Sequence, residues 1–253
     1  MRHLVRGLSA LFCVLVLICA GITRALAEAA TDAAEEANDA LQQRDFTKAY
    51  KLLRPVAEAG DPWAQYVYGH LILAGVGGQS DPAEACKWFQ KSAEQSYAPA
   101  QGSFGECYYR GHGVPKDTTK AVEWYRKSAE QGDAGGENNL GSMYAQGEGV
   151  PADGKEAVRW LERSALHGNP QAMYNLGKIY LQGSAGLAKD TKLAFLWGLL
   201  ANVKGYEKAY VVWRAAEDEL TIRQLYEAKS EARSWAELHP DAMKEMPIFK
   251  PPG

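Results

Sequence analysis

Apolar residues between positions 60 and 203 follow two superimposed periods. At short range they recur three and four residues apart, as in Ala172-Met173-Tyr174-Asn175-Leu176-Gly177-Lys178-Ile179-Tyr180, the spacing that covers one face of a helix. At long range the whole pattern returns every 36 residues. Trp88, Trp124 and Trp160 keep that step and Trp197 follows one residue late; Gly69, Gly105, Gly141 and Gly177 keep it throughout. The columns Asp81, Asp117, Asp153, Asp190 and Ala85, Ala121, Ala157, Ala194 run in parallel. A fixed period of this length marks a repeat array, in which each unit buries its apolar face against its neighbours.

Each unit reads as two antiparallel helices. The first carries the Gly column, where a missing side chain lets another helix approach closely, and stops at Gly75, Gly111, Gly147 or Gly183, residues suited to a left-handed cap. After a short Gly-rich loop the second helix starts at the Asp column. Asp81-Pro82-Ala83-Glu84 and Asp153-Gly154-Lys155-Glu156 place a capping acid three residues before Glu. The Trp column is expected between units. Gly60, Gly132 and Gly168 close units, and Asp61-Pro62 or Asn169-Pro170 opens the next helix. Three departures stand out: Ser96 at a unit-closing Gly, Gly136-Glu137 in place of Ala-Gln, and one extra residue in the fourth loop, 183–189.

The predicted fold is all-α, a right-handed α-α superhelix. Four repeats cover 60–95, 96–131, 132–167 and 168–203. Residues 28–59 form a shorter, tetratricopeptide-like hairpin as N-terminal cap. Residues 204–239 form C-terminal capping helices, the last opened by Thr221-Ile222-Arg223-Gln224, and 240–253 a Pro-containing tail.

The run Gly111-His112-Gly113-Val114-Pro115-Lys116-Asp117 through Ala121, Trp124-Tyr125, Lys127, Ala129 and Gly132 resembles a Sel-one-like repeat. Ala64-Gln65-Tyr66 through Gly69, then Gly75-Val76-Gly77, Asp81, Ala85 and Trp88-Phe89, is similar to the same unit. The resemblance implies a protein-interaction scaffold related to the tetratricopeptide class, of the kind used in envelope signalling, polysaccharide export and host interaction. Some exported, cysteine-rich relatives bind or hydrolyse β-lactams, and a secreted effector binding a host protein is a further alternative.

Charge and targeting narrow the picture. The chain carries 28 Lys+Arg against 31 Asp+Glu, which excludes a basic nucleic-acid scaffold on net balance. Arg2 and Arg6, the apolar run Leu8–Ala20 and Ala25-Leu26-Ala27 have the form of a secretory signal peptide over residues 1–27, too short to span a bilayer comfortably. Its loss removes three arginines and no acid, leaving a net charge of −6. Export to the periplasm is therefore expected, with secretion or anchoring by an uncleaved signal as alternatives and no membrane span after cleavage. Cys86 and Cys107 remain, at one level of adjacent helices. A disulfide is feasible there, and two small buried residues in apolar columns is the other reading.

No His-x-x-x-His or Cys-x-x-Cys spacing, phosphate-binding loop or nucleophile elbow occurs, so neither enzyme chemistry nor a cofactor or metal is expected. The scattered acids read as caps and outer-face charges. A solenoid offers instead an extended concave face. The variable positions of the first helices are expected to line it and to hold another protein: His70, Glu106, Tyr109, Arg110, Asn139, Gln146, Asn175, Lys178 and Gln182, with Val67, Ser103 and Ser142 in the same columns. Asn and Gln there suit the backbone of an extended peptide.

Overall fold

A computed structural model describes residues 31–244; the expected signal segment and the tail beyond 244 lie outside them. The described chain is twelve helices: α1 (31–42), α2 (Phe46–Glu58), α3 (Pro62–Leu73), α4 (Pro82–Glu94), α5 (Ala98–Arg110), α6 (Thr118–Glu130), α7 (Ala134–Gln146), α8 (Gly154–Leu166), α9 (Pro170–Gln182), α10 (Thr191–Val203), α11 (Ala209–Glu219) and α12 (Ile222–Leu238). No strand occurs among these residues, and the helices stack as an all-α solenoid.

Helix starts follow the capping residues. Asp61, Asp81, Asp117, Asp133, Asp153 and Asp190 each accept a hydrogen bond from a backbone N–H of the first turn, which satisfies a donor the helix itself cannot. At α12 both halves of a capping box close between Thr221 and Gln224. First helices α5, α7 and α9 end at Gly111, Gly147 and Gly183 in the left-handed conformation. Within the 204–239 stretch expected as capping helices, α11 starts only at Ala209. Gly205 at φ 82° and a turn through Tyr206 fill the interval before it.

Two kinds of bond close each unit internally. Fully buried Ser92, Ser128 and Ser164 on the second helices donate to the carbonyl oxygens of Pro62, Ala98 and Ala134, the first residues of α3, α5 and α7, at 2.6, 2.8 and 2.6 Å. Beside them Gln95 bonds Gln65 at 2.8 Å and Gln131 bonds Gln101 at 2.7 Å. In the third unit the same two positions hold Glu137 and His167, 2.8 Å apart.

Close approach is needed at the Gly column. A Cβ on Gly105 would lie 2.7 Å from the Tyr125 ring, and one on Gly141 2.7 Å from Leu161. The core runs between the helix rows, with Tyr125, Leu140, Leu161, Met173 and Phe195 all fully enclosed. Of the Trp column, Trp88, Trp160 and Trp197 are buried and Trp124 is half-buried. Their exposed edges carry cations: Lys91 and Lys127 each sit 3.9 Å from the Trp88 and Trp124 ring centres, and Arg163 sits 4.8 Å from that of Trp160.

Across units, α5 packs on α7, α7 on α9 and α9 on α11. The second helices α4, α6 and α8 make no comparable row, so there the first helices form the tighter, inner side of the stack, whereas at the C-terminal end α10 also packs on α12.

Candidate functional site on the inner helix row

The inner row displays most of the predicted contact residues, with one correction. Val67 is fully buried rather than exposed, because at that position α3 turns inward against the first core cluster. Arg110, Gln146, Lys178 and Gln182 are exposed, while His70, Glu106, Tyr109, Asn139 and Asn175 are half-buried.

Many of these side chains bond one another across the row. Ser103 Oγ lies 3.3 Å from His70 Nε2. Glu106 accepts from the Tyr125 hydroxyl at 2.6 Å and from Arg110 Nε, so both its oxygens are engaged. Asn175 donates to Asn138 Oδ1 at 2.9 Å and to Ser142 Oγ at 3.1 Å, and Asn138 donates to Asn139 at 3.1 Å. Gln146 reaches the Ser142 carbonyl at 3.1 Å. Lys178 stands 5.9 Å from the Tyr174 ring centre, and Gln182 accepts from Ser184 at 3.3 Å.

His70, Glu106 and Arg110 converge on one cavity of about 400 Å³ between α3 and α5. Its apolar lining is Phe89, Leu73, Cys86 and Cys107, the last two joined in a disulfide with Cα atoms 6.0 Å apart. That bond ties α4 of one unit to α5 of the next. Burial pushes the His70 ring down to about 4, so it is neutral and serves as a hydrogen-bonding wall. The Tyr109 phenol is raised by its hydrogen bond to Glu148, and Glu106 holds Arg110 in its charged form.

Tyr109 does not line this cavity, and Asn139, Gln146, Asn175, Lys178 and Gln182 lie along the row beyond it. The sequence columns pointed to the row without isolating the cavity; Leu73 and Phe89 were missed as lining residues. One signal was available: one repeat later, Leu73, Phe89 and Cys107 become the larger Tyr109, Tyr125 and Met143. A second surprise is Glu137, expected as a cap or surface acid but fully buried in the clasp with His167. Among the described residues no group of three or more His, Cys, Asp or Glu comes together as a metal site, and no helix is long and apolar enough to cross a membrane.

The Sel1 repeat profile matches five successive segments, 28–61, 64–97, 99–133, 134–169 and 170–202. The chain belongs to the Sel1 repeat family. The first Sel1 match falls on the α1–α2 hairpin, which by sequence pattern reads as a shorter cap. Among solved structures, a Sel1 repeat protein from Oxalobacter formigenes is 28% identical, with a TM-score of 0.64 over 82% of this chain and 84% of that one. A protective antigen of uropathogenic Escherichia coli displaying this fold is 27% identical, with a TM-score of 0.50 over 82% of this chain. The chain spans 54% of that protein's length. A Sel1 repeat protein from Klebsiella pneumoniae subsp. pneumoniae shares the fold at 18% identity and a TM-score of 0.52, covering 74% of this chain and 93% of that one. No curated protein matches the chain. Sel1 repeat proteins are a scaffold type that mediates protein–protein interaction.

Proposed function

We propose that the chain is a non-catalytic adaptor of the bacterial cell envelope that holds an extended segment of another protein along its inner helix row. The observation that carries the reading is the composition of that row. Arg110, Asn139, Gln146, Asn175, Lys178 and Gln182 recur on successive first helices, partly or fully exposed, as hydrogen-bonding groups over an apolar frame. Such side chains bond the alternating donors and acceptors of an extended backbone. Export is supported by the signal-like segment over 1–27 and by a disulfide, which persists in oxidising compartments.

Crosslinked capture from intact cells tests both parts. Replacing Asn139, Gln146, Lys178 and Gln182 together by alanine should abolish capture of the envelope partner while the helical content stays unchanged. Undiminished capture would remove the inner row from consideration, and recovery of the protein solely from the cytosol would overturn the envelope assignment.

A further inference from the structure

The cavity between α3 and α5 has an apolar lining and, at its mouth, a guanidinium with unused donors. At the mouth Glu106 accepts from the Tyr125 hydroxyl and from Arg110 Nε, and His70 and Ser103 are bonded to each other. The terminal N–H groups of Arg110 take no partner among the described residues, nor does the His112 ring. The Arg110 guanidinium therefore keeps charged donors free, which an anionic acceptor on the ligand would meet. At about 400 Å³ the space has room for a large apolar side chain together with the backbone group that carries it.

Building on the inner-row reading, we propose that this cavity receives the last residue of a partner chain, its apolar side chain against the Phe89–Leu73–disulfide lining and its terminal carboxylate on Arg110. An internal acid fits less well. Successive side chains of an extended segment point to opposite sides, so an adjacent Asp or Glu would face away from the mouth, and the next one on the same side would lie about 6.6 Å further along. The α-carboxylate belongs to the inserted residue itself and needs no such turn. A guanidinium with two terminal nitrogens available can meet it through paired N–H···O bonds.

The test is a library of decapeptides randomised over their last four positions, made both as free acids and as C-terminal amides, screened against the purified, oxidised protein. Free acids ending in Leu, Ile, Met or Phe should be enriched, and amidation should cost at least about tenfold in affinity, the scale of a lost charged hydrogen bond. Arg110→Gln should weaken the free acids by a similar factor and leave amides unaffected, whereas Arg110→Lys retains part of the binding. Leu73→Asn, on an exposed edge of the lining, should weaken them without altering the far-ultraviolet circular dichroism. Equal binding of acids and amides, no preference at the last position, or no enriched peptide at all overturns the inference. Those outcomes leave the inner row untouched as long as the alanine variant outside the cavity still loses its captured partner.

Discussion

Glu137 and His167 meet at 2.8 Å in the position where each of the two preceding units joins a pair of glutamines. Glu137 is fully enclosed, and Arg163 approaches its other oxygen at 3.0 Å as an ion pair, at an angle that leaves that oxygen without a hydrogen bond. One repeat unit thus carries a buried charge at a site its neighbours fill with amides.

Burial raises the Glu137 carboxyl above its ordinary value of 4.5, outweighing the opposing pull of His167 and Arg163; Asp133 adds to the rise. A carboxyl raised in the folded state binds its proton more tightly there than when unfolded. Its contribution therefore favours folding below 4.5 and is lost as pH rises through the folded value. Glu137→Gln with His167→Gln, which rebuilds the amide clasp, should stabilise the protein by about 1 kcal/mol at pH 7, since buried ion pairs often yield to uncharged replacements. Denaturant titrations at pH 7 and pH 4 check this. A loss of stability at pH 7 would show that the charged clasp is the stronger one.

His70 behaves in the opposite sense. Its folded value of about 4 lies below the ordinary 6.5, so the unfolded chain binds the extra proton between them. Stability from this residue is complete above 6.5 and falls as pH drops through that interval. His70→Gln should remove this part of the acid sensitivity, seen as a smaller difference in unfolding midpoint between pH 7 and pH 4.5.

Ser96 adopts φ 65° where Gly60, Gly132 and Gly168 take φ 107°, 83° and 81°. A side chain in that region crowds the following carbonyl at a cost of about 1 to 2 kcal/mol. Ser96→Gly should raise stability by about 0.5 to 1 kcal/mol after the extra backbone entropy of glycine is deducted. Thermal melts of the two proteins decide it.

The Cys86–Cys107 bond closes a loop with a sequence separation of 21. Reduction, or the double change to alanine, should cost about 3 kcal/mol through the freed loop. Hydrogen exchange should show the loss concentrated in α4 and α5 rather than spread along the stack.

Much of this architecture can be read from columns. Asp81 and Asp153 cap helices because acids accept free N–H groups wherever they precede an amphipathic run, and Gly105 and Gly141 mark helix contact because nothing else fits. The columns even align Gln65 and Gln101 with Glu137, and Gln95 and Gln131 with His167. Reading that as a buried pair requires knowing that both columns face each other, which periodicity along one helix does not state. Val67 shows the same limit, since apolar and polar residues share its column while burial is decided by the neighbouring helix. The cavity is least legible of all. It arises from small differences in volume, Leu73 for Tyr109 and Cys107 for Met143, acting across three helices.

The serine and glutamine bonds described above tie each unit to itself, whereas the disulfide joins two units covalently. Pulled from its ends, such a molecule would not yield as one body. Its units would come apart singly, each as a separate step in extension. The pair held by Cys86 and Cys107 would remain linked to the last and shorten the total extension by the length of the bridged loop.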